Sequence, residues 1–111
     1  MSTENDVRRL ATRLPEVTEK PCYGTPAFYA QGKIFARMHE EPDVLVCWRA
    51  DLVEKQALLD SDPDTYFTTD HYAEHASVLV RLDRVAEDEL AELLAEAWDA
   101  RALRRLRNAQ G

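Results

Sequence analysis

The stretch that decides the fold runs from Ala27 to Arg49: Ala27-Phe28-Tyr29-Ala30-Gln31-Gly32-Lys33-Ile34-Phe35-Ala36-Arg37-Met38-His39-Glu40-Glu41-Pro42-Asp43-Val44-Leu45-Val46-Cys47-Trp48-Arg49. Gln31-Gly32 is a two-residue connection with glycine second, where a tight hairpin needs a positive φ. Ala27 to Ala30 and Lys33 to His39 are therefore its two strands. Glu40-Glu41-Pro42-Asp43 makes the next turn, and Val44 to Arg49 returns as a third strand. Three strands joined by short turns form a meander, and a meander is antiparallel.

Working outward, Val7, Leu10, Ala11 and Leu14 fall at i, i+3, i+4 and i+7, one apolar face of a helix over residues 5–14 that Pro15 ends. A short extended stretch from Val17 to Cys22 leads to the turn Tyr23-Gly24-Thr25-Pro26. After the meander, Asp51-x-x-Glu54 has the spacing of a capping box and opens a helix to about Asp60. Tyr66 to Thr69 and Ser77 to Leu82 read as a second strand pair, with Asp70 to Ala76 as a loop between them. From about Ala86, Leu90, Leu93, Leu94, Ala97 and Trp98 make the apolar stripe of the longest helix. The order is α-β-β-β-α-β-β-α. It predicts an α+β fold of two layers, an antiparallel sheet of about five strands covered on one face by helices, as one domain over residues 1–111.

Alternation then assigns the faces. Ile34, Ala36 and Met38, with Val44, Val46 and Trp48 and with Val78, Val80 and Leu82, are placed under the helices. The open face is left with Lys33, Phe35 and Arg37, then Leu45, Cys47 and Arg49, then Leu79 and Arg81. Every charged residue on that open face is basic.

Composition sets the limits. The chain has 111 residues and a net charge of −7, unevenly spread: residues 1–13 carry +1, residues 14–100 carry −12 and residues 101–111 carry +4. An acidic body is repelled by nucleic acid and by anionic membranes at long range, so such contacts need a local basic patch. No run of about 18 apolar residues is present and the first 14 residues are charged, which predicts a cytoplasmic protein without a membrane partner. Cys22 and Cys47 have no near partner of the kind a zinc site needs, and read as reduced structural thiols. His71-x-x-Glu74-His75 has the inverted zinc-protease spacing, which works only on a helix, and its neighbours favour strand. The three glycines form no phosphate-binding loop. No metal or cofactor is expected.

The basic residues carry the functional expectation. Lys33, Arg37, Arg49 and Arg81, interleaved with Phe35, offer guanidinium and aromatic groups to a phosphate backbone or an exposed base. Arg101, Arg104 and Arg105 extend the same chemistry along the last helix, where they also complement its dipole. The alternatives are a solubilised sheet face, or a surface for a protein partner or a second copy through Phe35, Leu45 and Leu79.

These residues also carry a resemblance. Leu14-Pro15-Glu16-Val17-Thr18-Glu19, Tyr23-Gly24-Thr25-Pro26-Ala27-Phe28 and Gly32-Lys33-Ile34-Phe35-Ala36 resemble, in order and spacing, the opening, turn and hairpin of the MmcQ/YjbR family. Tyr66-Phe67-Thr68-Thr69 with His71-Tyr72, and Ala76 to Leu82, look like its second strand pair. The resemblance implies an α+β fold with an antiparallel sheet covered by helices, and no established enzymatic activity. It also implies DNA binding, the label the family commonly bears from a proposed double-wing arrangement.

Because neither cysteine nor histidine spacing supplies a staple, the fold is expected to stand without metal or disulfide. Thermal unfolding with chelator or reductant should shift the midpoint by less than about 8 °C, which at this size is about 1–2 kcal/mol; a larger drop with either reagent would refute it.

Overall fold

A computed structural model describes residues 1–110, with side chains through Ala102. The elements are α1 (Glu4–Thr12), β1 (Val17–Cys22), β2 (Thr25–Ala30), β3 (Lys33–Met38), β4 (Val44–Trp48), α2 (Leu52–Ser61), β5 (Tyr66–Phe67), β6 (Ser77–Arg81), a short 3-10 turn (Leu82–Arg84) and α3 (Glu87–Gln110). The strands form one antiparallel sheet in the order β1-β2-β3-β4-β6-β5. The architecture is the expected α+β one, with six strands where the sequence suggests about five.

The additional strand is β1, the stretch read as merely extended. It pairs along its whole length with β2, from Val17 opposite Ala30 to Cys22 opposite Thr25. Its middle residues are exposed, and as an edge strand it carries Lys20 and Pro21, which discourage pairing with another chain. Both hairpin connections are two residues long, with positive φ at both positions: Tyr23 and Gly24 at 52° and 83°, Gln31 and Gly32 at 52° and 84°. That is the turn whose twist matches the strands it joins.

Caps bound the helices. Thr3 and Asp6 exchange hydrogen bonds across the first turn of α1, and Asp51 accepts from the Glu54 N–H at 2.9 Å as its spacing predicts. On the helix side of the sheet, Val7 and Ala11 of α1 and Leu90, Leu93, Leu94 and Ala97 of α3 bury Phe28, Phe35, Ala36, Met38, Leu45, Cys47, Val78 and Val80.

That list corrects the assignment of faces in two strands. In β4 the order is reversed: Leu45 and Cys47 point to the helices, while Val44 and Val46 lie on the opposite face. The register fixes this, because Leu45 stands opposite Met38 and Val80, and Cys47 opposite Ala36 and Val78. Trp48, expected under the helices, sits half-buried and packs against both apolar clusters. In β3 the pairing with β2 slips between Phe28 and Tyr29, opposite Phe35, which belongs to neither flanking pair. The bulge inserts one residue and turns Phe35 into the core beside Ala36. Ala36, Met38, Val78, Val80 and Leu82 lie where alternation put them.

Nothing lies within 4 Å of a Cβ added to Gly24, so a side chain there meets only the cost of its backbone angle. Gly24→Ala should destabilise by about 1–2 kcal/mol, the penalty for an L-residue in that region. Gly24→Asn should recover part of the loss, because asparagine tolerates it. Equilibrium denaturation of both variants checks this, and equal stability of Gly24→Ala and the wild type would refute the turn assignment.

Candidate functional site

The face of the sheet turned away from the helices is not open. Residues 68–76 cross it as a strap, with turns over Asp70–Glu74, and its single deeply buried residue is Tyr72. Tyr72 closes a second apolar cluster of Val44, Val46 and Leu79, flanked by Trp48 and Phe67. Leu79 is thus on the predicted face but beneath a cover, and Leu45 and Phe35 are in the main core.

Two cations hold the strap down. Arg37 donates from Nη2 to the Tyr72 hydroxyl at 2.7 Å and from Nη1 to Thr25 Oγ1, the Met38 carbonyl and Glu40. Burial works against its charge, but the bonds to Tyr72 and Glu40 more than offset this, and its pKa lies above the ordinary value. Lys55, buried on α2, donates its ammonium to the carbonyls of Tyr72 and, at 2.8 Å, of His75. Burial lowers its pKa. Neither residue was expected in this role, although Lys55, Leu58 and Leu59 fall at i, i+3 and i+4 and so share one face of α2.

A third cation serves the opposite side. Arg49, placed on the open face by alternation, is 4% exposed and turned toward α3. It donates to the Leu93 carbonyl at 2.8 Å, to Glu96 at 3.1 Å and to the Trp48 carbonyl at 2.8 Å. Among the basic residues proposed for binding, then, Arg37 and Arg49 fasten covers onto the sheet, and the aromatic Phe35 is core. Arg81 remains exposed, with its guanidinium 4.1 Å from the centre of the Phe67 ring.

What the fold does bring together lies at the Trp48 end of the sheet. Arg101 of α3 donates from Nε to the carbonyl of Ile34 at 2.7 Å, next in the chain to Lys33, and its guanidinium sits 5.6 Å from the centre of the Trp48 ring. His75 meets the same ring edge-on at 5.3 Å. Arg104 and Arg105 lie outside the residues whose side chains are described.

The three histidines ring Tyr72, with centroid separations of 6.1 Å for His39, 4.9 Å for His71 and 5.8 Å for His75. His75 Nδ1 lies 2.7 Å from the Ser77 hydroxyl and accepts from the Ser77 N–H. This pair has the composition of a nucleophile and base, but Ser77 is fully buried and presents no hydroxyl to a substrate. Burial, then the charges of Lys55 and Arg101 and the neighbouring His71, lowers the His75 pKa. The folded chain resists protonation there, so His75 withdraws stability as pH falls below its ordinary value of 6.5. Cys47 is buried with its thiol pKa pushed up to about 11 by desolvation, and both cysteines are free. Residues 71–75 form turns, so His71 and His75 do not share a helix face, and among the described residues no three metal-ligating side chains converge. Among the same residues no helix is long and apolar enough to cross a membrane.

The strap's two functions separate by mutation. Tyr72→Phe removes the hydroxyl that Arg37 donates to and should cost about 1–2 kcal/mol. Tyr72→Ala uncovers Val44, Val46 and Leu79 and should cost about 3–5 kcal/mol. Urea denaturation of both measures the difference, and equal losses would mean that the ring contributes no packing.

Comparison with known proteins agrees with this architecture. The chain superposes on the crystal structure of Deinococcus radiodurans protein DR2400, a DUF419 domain, with a TM-score of 0.72 at 24% identity, over 88% of this chain and 77% of that one. Its sequence is 30% identical to the uncharacterised proteins Rv2570 of Mycobacterium tuberculosis and Mb2600 of Mycobacterium bovis, over 96% of this chain and 93% of each relative. The YjbR family profile matches residues 12–100, and with that match across most of its length the chain belongs to the YjbR family.

Proposed function

We propose that this chain is a non-enzymatic binding domain for nucleic acid, and that its contact surface is the sheet end where Arg101 meets Trp48 and the carbonyl of Ile34, together with the adjoining Lys33 and with Arg104 and Arg105, which follow in sequence. The observation that carries this is the Arg101 guanidinium held over the Trp48 ring while its Nε is tied to the Ile34 carbonyl. A guanidinium lying over an indole presents a flat cationic surface on which a base stacks, and its N–H groups donate to phosphate oxygens, so the pair supplies both halves of a single-strand or frayed-end contact. The tether matters because an arginine already ordered loses less freedom on binding. Residues 102–111 add +3 directly after Arg101 in sequence, the strongest local departure from the acidic body.

This surface replaces the broad sheet face expected from alternation, whose arginines 37 and 49 are committed internally. The non-enzymatic half of the reading is supported by the burial of the Cys47 thiol and the Ser77 hydroxyl. A protein contact is the second reading, and it moves as well. Its favouring observation is on α2, where Leu52 and Val53 are 50% and 78% exposed.

Titration of labelled single-stranded and duplex DNA at about 50 mM salt is the test. Four contacts predict a slope near −3.6 in log K against log salt for duplex, from about −0.9 per phosphate. Lys33→Glu combined with Arg105→Glu should abolish binding. No binding at about 100 μM protein, or binding indifferent to the double reversal, would overturn the proposal. Concentration-dependent self-association lost in Val53→Glu would then favour the protein contact.

A further inference from the structure

On the strap, with a lining that shares no residue with the proposed nucleic-acid surface, the β1–β2 turn, the β3–β4 turn and residues 69–72 border a cleft of about 410 Å³. The aromatic residues Tyr23, His39, His71 and Tyr72 line it, together with Thr69 and the charged pair Arg37 and Glu40. Tyr23 is 89% exposed, a large aromatic standing in solvent at a hairpin tip.

The cleft offers donors. Tyr72 accepts from Arg37 Nη2 at 2.7 Å, which leaves the phenol's own hydrogen for another acceptor. His39 Nδ1 accepts from the Glu41 N–H at 3.0 Å, so the neutral ring carries its proton on Nε2. The acceptor present is the Glu40 carboxylate, 3.2 Å from Arg37 Nη1 and 3.6 Å from His39 Nε2. The two partners differ in how they are held: the Arg37 side chain is 11% exposed and bonded at four points, whereas that of Glu40 is 58% exposed. A multiply bonded cation facing an exposed carboxylate in a ring-lined cleft is the geometry of an anion site occupied by its own chain.

We propose that this cleft binds a small ligand carrying an oxyanion on a planar ring, an aromatic carboxylate or phosphate monoester, whose oxygens take the place of the Glu40 carboxylate between Arg37 and His39. The ring of the ligand stacks among Tyr23, His71 and Tyr72, where aromatic pairs are favourable at 4.5–7 Å. The volume suits such a molecule, since small-ligand pockets begin at about 300 Å³. This site shares no residue with the nucleic-acid surface proposed above, and either can fail alone.

The test uses the full chain, with phenyl phosphate, benzoate and inorganic phosphate as probes and the His39 and His71 imidazole resonances as reporters. His39 and His71 line the cleft, whereas the Trp98 indole N–H, bonded to the Pro15 carbonyl, serves as an internal control. Saturable shifts of His39 and His71 with the Trp98 indole unmoved are expected. Binding of phenyl phosphate alone assigns a phosphate monoester, and of benzoate alone a carboxylate. Glu40→Gln should tighten binding about fivefold, the factor a unit charge at about 4 Å is worth in water. Arg37→Gln should abolish it; because Arg37 also holds the strap, Thr69→Val and Tyr23→Ala, which leave that latch intact, should each weaken binding at unchanged stability. No shift at 20 mM of any probe, the Trp98 indole moving with the histidines, or no gain in Glu40→Gln would overturn the proposal. Equal affinity for inorganic phosphate and phenyl phosphate would overturn its ring component.

Discussion

Strand β4 is apolar on both sides, and the rest of the structure follows from having to cover both. Leu45 and Cys47 face the helices, and Val44 and Val46 face the other way. In a two-layer α+β protein one face of the sheet ordinarily meets water, and polar residues alternate along each strand to suit it. Here the central strand leaves no such face. The helices cover one side with a continuous core, and nine residues of irregular chain with one buried tyrosine cover the other. A loop is a poor cover by itself because its backbone groups need partners when they are held against an apolar surface. The chain meets this need with cations brought in from neighbouring elements.

Arg37, Lys55 and Arg49 are those cations, and they share a logic. Each is drawn out of water to satisfy backbone carbonyls or a hydroxyl on a piece of chain packed over the sheet. Burying a charge is costly unless its donors are used, and each of these has at least two named acceptors. Their commitment explains why the basic residues of the central strands do not add up to a phosphate-binding face. It also leaves the exterior more acidic than the formal charge suggests, since three of the positive charges are internal. Arg81 keeps an exposed guanidinium on β6, and the net positive charge of residues 101–111 lies at the Arg101 end of α3.

What was legible in the sequence was local chemistry. Gln31-Gly32 announced its turn through the glycine, Asp51 announced its cap through spacing, and α3 showed its stripe, because each depends on residues within a few positions of one another. The face assignment of β4 was not legible, since five consecutive buried or half-buried residues carry no phase. Phe35 was misplaced because a bulge adds one residue and alternation cannot count it. Strand β1 was missed for the opposite reason: exposed at an edge, Thr18, Glu19, Lys20 and Pro21 show no burial pattern to read. Of the candidate site, Lys33 and Arg101 are legible, but the seating of Arg101 on Trp48 and on the Ile34 carbonyl depends on how α3 crosses the sheet. The sequence shows Asp70 to Ala76 only as a loop, and a lone tyrosine among polar residues gives no sign that it joins the cluster of Val44, Val46 and Leu79.

The two tight turns with paired positive φ have a kinetic consequence. They join β1, β2 and β3 with almost no intervening chain, so bringing these strands together costs little loop-closure entropy. By contrast, β4 meets β6 only after α2, β5 and the strap have intervened, with Trp48 opposite Ser77. Folding rates fall as contacts become more distant in sequence. The N-terminal meander is therefore the part that assembles from local information, and pairing of β6 is the step that waits for the chain to return. Since the strap immediately precedes β6, its docking over Val44 and Val46 belongs to that late step, and until then those residues are the segment exposed to misassociation.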